Sequence, residues 1–272
     1  MKVRLKRTDK DYYGVGEYIL PVVEAAAKYD QFIQILCEIL NTFDTFSEDI
    51  VNKVKKTLEL EKYKINEGDE TVKEDYKLFA NRLEMFYWHV VDYEFAEEVK
   101  KFDQDLYQEK RLYHTDYRLG RYRGILFEVL IDALVRNRYQ GRGKRYETGC
   151  TIRINGCPIL AQYGFGNSRH KETLDVAGWD DRMQYGEFYE CKVNPKRFEN
   201  PNYHFFMEIK KALDADSRVK YILALVSADS TGNLKAQKEC LEEEDTDCNI
   251  DFELIGREGI FGISQYVISE IA

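Results

Sequence analysis

No run of 18 or more apolar residues occurs in this 272-residue chain, so no membrane-spanning helix is expected. The basic start MKVRLKRTDKDYYG lacks the apolar segment of a secretion signal, and a cytoplasmic location is the expectation. Cysteine is sparse. Cys37, Cys150, Cys157, Cys191, Cys240 and Cys248 form no CxxC pair and make no disulfide framework, so reduced, buried thiols are expected. Cys150 and Cys157 are not at zinc-finger spacing, and the four histidines show neither HxxxH nor HxH spacing, which argues against structural zinc. Neither GxxxxGK[ST] nor GxSxG is present, so ATP-driven chemistry and a serine nucleophile elbow are not encoded. There is no internal repeat and no low-complexity tract.

Apolar residues make up 44% of the chain, enough for a proper core in one large domain or two modest ones. The net charge of −9 argues against a protein that coats nucleic acid indiscriminately, but it leaves room for a local basic groove. That charge is unevenly spread. The first 118 residues carry 19 Lys/Arg against 25 Asp/Glu, whereas Leu119 to Arg145 carry 7 against 2. The 20 tyrosines suit either stacking surfaces or half-buried packing.

Residues 1–16 read as an irregular or strand-like start. Apolar residues then recur at helical spacing from Ile19 to Leu40, with Pro21 in the first turn. Ser47 caps a helix through Leu58, and a long amphipathic segment runs from about Thr71 to Leu112. A further helix is predicted over about Tyr122 to Tyr139, with Glu128 beside its apolar stripe. Gln140-Gly-Arg-Gly143 ends that helix and opens a flexible basic loop. Strands follow. Cys150–Leu160 alternates around a hairpin-type Asn155-Gly156, and Thr173–Trp179 and Phe188–Val193 are two strands joined by a polar turn. Pro201–Leu213 reads as a helix, and Val219–Ser227 as a strand buried on both faces. A short helix (Leu234–Leu241), an acidic loop (Glu242–Asp247), a strand (Ile250–Ile255) and a helix (Ile260–Ile271) close the chain. The expected architecture is mixed α/β (α+β mixed), with a helical recognition or assembly region over residues 1–117. Over residues 118–272 a mixed central sheet is flanked by helices.

The chemistry concentrates in Glu172–Pro195. Glu190 and Lys192 lie two apart on one strand and share a face, and Asp175 on the preceding strand comes near them if the two strands pair. Two carboxylates and an ammonium converging at a sheet edge suit a magnesium ion and an activated water. The tripeptide alone says little, since Asp75-Tyr-Lys77, Glu98-Val-Lys100 and Glu208-Ile-Lys210 repeat it in predicted helices. What distinguishes Glu190-Cys-Lys192 is its strand, the Asp-bearing strand before it, and the Glu128 helix before both.

In this arrangement the stretch from about Arg121 to Ser227 resembles the PD-(D/E)xK nuclease superfamily, the restriction-endonuclease-like fold. Leu174 stands where the family name expects proline. The resemblance implies a Mg²⁺-dependent endonuclease, with Mn²⁺ able to substitute, acting on DNA rather than RNA. It implies a setting in restriction, antiphage defence or repair. It also implies Asp175, Glu190, Glu128 and the carbonyl of Cys191 as metal ligands, with Lys192 orienting the attacking water or stabilising the phosphorane charge. Arg121, Arg123, Arg136, Arg138, Arg142, Lys144 and Arg145, with Arg169 and Lys171 before the Asp175 strand, are the candidate nucleic-acid contacts, since arginine suits bidentate phosphate binding. The alternatives left open are a solvated helix end for the basic cluster and a surface ion-pair network for the hairpin. On the second of these the protein is a catalytically silent interaction module, docking a helicase or ATPase partner or a second copy through its helical region. A third, less favoured reading is an RNA-directed nuclease of the same fold.

Overall fold

The computed structural model describes residues 1–8, 16–65, 69–91, 115–162, 170–244 and 251–266; for Thr115, Tyr117, Gln162, His170 and Lys171 it describes the backbone alone. Two compact units result, Lys10–Leu130 and Met1–Asp9 with Ile131–Ala272. The expected division at residue 117 differs in two respects. Helix α5 runs Thr115–Val135, so the unit boundary falls inside it, and the first strand belongs with the later sheet. Among the described residues no helix is long and apolar enough to cross a membrane.

The unit Lys10–Leu130 holds α1 (Gly16–Ala26), α2 (Asp30–Thr42), α3 (Ile50–Ile65), α4 (Glu70–Val91) and the first part of α5. The apolar period from Ile19 to Leu40 is real, but two helices share it. Tyr29 breaks the run in an extended conformation (φ −138°, ψ 136°). Its hydroxyl donates to Asp75 of α4 at 2.9 Å, and the neighbouring Lys28 pairs with the same carboxylate at 2.6 Å. A partner far away in sequence thus overrides the local period. Pro21 lies inside α1 rather than in its first turn. Phe32 and Phe79 stack 5.3 Å apart in the core, and the Tyr76 hydroxyl donates to the Leu58 carbonyl at 2.6 Å. The amphipathic pattern expected beyond Val91 lies outside the described residues.

The second unit is organised on a mixed sheet. Its strands are β1 (Val3–Arg7), β2 (Lys144–Ile154), β3 (Cys157–Pro158), β6 (Thr173–Asp180), β7 (Tyr185–Lys192), β8 (Lys220–Ser227) and β9 (Glu253–Ile255). A separate pair joins β4 (Ala161–Gln162) to β5 (His170–Lys171). The order across the main sheet is β1-β2-β6-β7-β8-β9, with β3 paired onto β2. Strands β1, β2, β6 and β7 are antiparallel neighbours, while β7, β8 and β9 run parallel. The parallel pairs need crossovers. Helix α6 (Asn200–Asp214) lies between β7 and β8 in sequence, and α7 (Thr231–Glu244) between β8 and β9. The short helix α8 (Ile260–Ile263) follows β9. Asn155 and Gly156 both have positive φ (52° and 89°), as the two-residue turn between β2 and β3 requires. Phe205, Phe206, Ile209 and Leu213 of α6 pack with Ala177, Trp179, Phe188, Leu223 and Leu225 of the sheet in one buried cluster. Of the described cysteines, Cys37, Cys150 and Cys191 are buried thiols as expected, whereas the thiols of Cys157 and Cys240 are exposed.

Candidate active site

The β6–β7 hairpin is in register from Asp180 opposite Tyr185 to Val176 opposite Tyr189. One step further would set Asp175 opposite Glu190, and there the pairing stops. On its other side β6 pairs with β2 at Thr148–Val176 and Cys150–Leu174, but the pair between them, Gly149 and Asp175, is missing from the ladder. Gly149 turns through φ 51° at that point. The backbone ladder is therefore open on both sides of Asp175. The carboxylate closes part of the gap, since its Oδ2 accepts the Cys191 N–H at 2.7 Å.

Glu190 and Lys192 project from β7 onto the face that carries Phe188 and that packs against α6. Lys192 Nζ lies 2.7 Å from Glu190 Oε1 and 3.3 Å from Asp175 Oδ2, and donates to the Cys191 carbonyl at 3.1 Å. Three residues named from sequence thus converge on the ammonium group of a fourth. The Glu190 side chain is fully buried, while those of Asp175 and Lys192 keep 16% and 26% of their surface exposed. The cluster opens to solvent through its aspartate and lysine and is anchored by its glutamate. The other Asp/Glu-x-Lys matches separate as expected, with Asp75 and Lys77 on α4 and Glu208 and Lys210 on α6. Glu98 and Lys100 lie outside the described residues.

Asn202, which the sequence reading passed over, orients Glu190. Its Nδ2 donates to Glu190 Oε1 at 2.9 Å, and its own Oδ1 accepts the Glu199 N–H at 3.0 Å. Glu199 and Asn202 form a capping box at the start of α6, with Pro201 in the first turn. The signal was legible as Glu-Asn-Pro-Asn before an apolar helix, but it announces a helix start rather than a carboxylate partner.

A second buried glutamate, Glu187, lies on the same strand, an odd number of residues from Glu190 and therefore on the opposite face. Arg138 grips it with Nε to Oε1 at 3.0 Å and Nη2 to Oε2 at 2.5 Å. The hydroxyls of Tyr139 and Tyr189 donate to it at 3.1 and 2.7 Å. The Tyr139 ring lies over Gly178, where a Cβ would stand 2.3 Å from it. Burial, and then the charge of Glu187, pushes both tyrosine hydroxyls well above their ordinary range. For Arg138 burial opposes the charge, and the bonds to Glu187 outweigh it and hold the guanidinium ionised. Only 12% of the Arg138 side chain is exposed. This closed network braces β7 from behind, in contrast to the open cluster on its front.

The chain matches no protein-family model and no curated protein. What the site can do therefore rests on its own atoms.

The expected basic surface is divided by the fold. Arg138 is engaged by Glu187. Arg123 is buried, donates to the Leu40 carbonyl at 2.7 Å and has its pKa drawn down by burial. Both are internal cations, which corrects their expected place among the phosphate contacts. Arg136 pairs with the buried Asp132 while keeping 55% of its side chain exposed. Arg145 forms two bonds to Asp181 at 2.7 and 2.5 Å, and Lys144 donates to the Arg138 carbonyl at 2.7 Å. Arg121 and Arg142 are exposed. Lys144 is opposite Asp180, and the Asp181 N–H bonds the Gly143 carbonyl at 2.9 Å. The Gly141–Gly143 loop thus lies at the turn end of the hairpin, five residues along β6 from Asp175, or roughly 16 Å at the rise of a strand. Asp180 is buried there and caps the turn by accepting from Arg182 N at 2.8 Å. Glu128 is half-buried on α5 and belongs to the helical unit, and Glu172 is exposed. Arg169 and the side chain of Lys171 lie outside the described residues.

Among the described residues no three His, Cys, Asp or Glu side chains gather where they could hold a metal ion. A centre at Asp175 and Glu190 therefore has two carboxylates and the Cys191 carbonyl to offer. All three are hard oxygen donors, and the set fits magnesium or manganese, since magnesium keeps several of its own waters when held by one or two carboxylates.

Proposed function

We propose that this chain is a metal-dependent nuclease of restriction-endonuclease-like fold that hydrolyses phosphodiester bonds, in DNA rather than RNA. The observation that carries the reading is the convergence of Asp175, Glu190, the Cys191 carbonyl and Lys192 where the backbone ladder opens. Structural ion pairs close on themselves, as Arg138 and Glu187 do on the other face. This cluster opens to solvent through Asp175 and Lys192 and offers hard oxygen donors beside a partly exposed cation. Asp175 and Glu190, with the Cys191 carbonyl, would hold the divalent ion, which would supply Lewis-acid polarisation of a phosphoryl oxygen. The Cys191 N–H and Asn202 fix the orientation of the two carboxylates, so neither has to reorganise when substrate arrives. Lys192 brings a positive charge to the same point. A positioned cation opposite charge that grows in the transition state contributes about 3 kcal/mol, roughly a hundredfold in rate. Lys196 and Arg197, exposed in the turn that follows β7, would meet a phosphate backbone that ran past Lys192.

Cleavage of supercoiled plasmid in Mg²⁺ or Mn²⁺ tests the reading. Lys192→Ala should slow it about a hundredfold or more, with the circular dichroism spectrum unchanged at the assay temperature. Single-stranded DNA, duplex and RNA at one fixed salt concentration would rank the substrates, since phosphate contacts are salt-sensitive. Equal rates for wild type and Lys192→Ala on every substrate and metal would end the nuclease reading.

A further inference from the structure

The three oxygens assigned to a divalent ion already share a cation. Lys192 Nζ is bonded to Glu190 Oε1 (2.7 Å), the Cys191 carbonyl (3.1 Å) and Asp175 Oδ2 (3.3 Å). We propose that Lys192 is an internal competitor for the metal, so that loading the centre displaces its ammonium toward the substrate. The inference rests on the nuclease reading and adds an order of events to it.

Three features carry it. First, the two cations cannot share the donors. Magnesium–oxygen distances are about 2.1 Å, so a bound ion would stand within a few ångströms of Nζ, and like charges at that range repel strongly. Second, the carboxylates do not depend on the lysine for their orientation. Asp175 Oδ2 also accepts the Cys191 N–H at 2.7 Å, and Glu190 Oε1 also accepts Asn202 at 2.9 Å. Third, the lysine has a way out. It is the last residue of β7, and 26% of its side chain is already exposed, so its head can swing to solvent without crossing the core. A phosphodiester lying there would attract the released ammonium. Substrate and metal would then strengthen each other's binding by one common factor, as linkage requires.

The test is Mn²⁺ binding to the full chain without substrate, followed by the paramagnetic signal of the free ion at fixed pH and salt. Lys192→Met should tighten binding at least about tenfold, and Lys192→Gln should do the same if the methionine variant fails to fold. Lys211→Met, at an exposed lysine of α6, serves as a control for bulk charge and should change affinity less than about threefold. Glu190→Gln should abolish binding. If both Lys192 variants bind like wild type or more weakly while Glu190→Gln loses the ion, the competitor is refuted and the nuclease reading stands. A Lys211→Met gain as large as that of Lys192→Met would also refute it, by reducing the effect to net charge. If Glu190→Gln binds like wild type, the centre is elsewhere and both ideas fall.

Discussion

Two buried glutamates three residues apart on β7 invite the same substitution with different consequences. Glu187→Gln removes the charge that holds Arg138, whose side chain is only 12% exposed. A guanidinium left without its buried partner costs about 3–5 kcal/mol. The lower end applies here, because Arg138 keeps its bond to the Leu134 carbonyl at 2.8 Å and the glutamine oxygen can still accept from one tyrosine. For a unit of this size about 3 kcal/mol lowers the melting temperature by roughly 6–12 °C. Glu190→Gln should cost less, about 1 kcal/mol, because Lys192 can turn to water and Asn202 can still donate to the new side chain. Urea unfolding followed by tryptophan fluorescence reads the difference. Trp179 is fully buried within the hairpin, while Trp88 is 53% exposed, so the signal reports chiefly on the sheet. Replacing both partners, as Arg138→Met with Glu187→Leu, should lose less stability than Glu187→Gln alone. The reasoning fails if Glu187→Gln stays within about 1 kcal/mol of wild type, or if Glu190→Gln proves the more damaging of the two.

Two further expectations concern other regions. In anisotropy titrations of duplex DNA across a salt series, Lys196→Ala and Arg197→Ala should each reduce the slope of log affinity on log salt by about 0.9, whereas Arg142→Ala at the far end of the hairpin should leave it unchanged; the reverse pattern would return the substrate to the basic loop. In the helical unit, Lys28 and Tyr29 hold the Asp75 carboxyl below its ordinary pKa of 3.8. A depressed carboxylate contributes stability that is complete above 3.8 and is lost as the pH falls through the lower folded value, so Asp75→Asn should flatten the acid limb of the unfolding curve. An unchanged acid limb would show that Asp75 is not among the groups that set it.

The elements that depend on near neighbours in sequence were legible without the structure. Asn155-Gly156 specified its turn, the β-branched and apolar run at β8 its burial, and Asp175 with Glu190-x-Lys192 the cluster that the hairpin register assembles. What stayed hidden depends on partners far along the chain. Arg123 and Arg138 were counted as phosphate contacts because charge is visible in a sequence and burial is not. Only the fold shows that Leu40 and Glu187 claim them. Glu187 falls in the polar turn when the strand is expected to begin at Phe188, but the strand begins at Tyr185 and a guanidinium from 49 residues away lies against the glutamate. The basic loop looked adjacent to the site because Glu128 precedes it, yet the β2–β6 register carries Lys144 to Asp180 and away from Asp175. The break at Tyr29 had no local cause to read, because Asp75 supplies it.

Strand β1 pairs along β2 from Val3 opposite Ile154 to Arg7 opposite Cys150, and the whole helical unit is strung between them in the chain. At the ordinary pace of translation β1 is made roughly ten seconds or more before its partner. Throughout that interval the helical residues can fold first, while a short basic segment waits in solvent. The same arrangement governs how the protein can be cut. A fragment beginning after residue 117 would carry the cluster of Asp175, Glu190 and Lys192 but strip β2 of its β1 neighbour, leaving β6 on its other side. The bare edge, with Ile152 and Ile154 beside it, is a template for pairing with other copies. Supplying Met1–Arg7 as a separate peptide to such a fragment would restore the missing neighbour, and the sheet unit could then be rebuilt from two pieces.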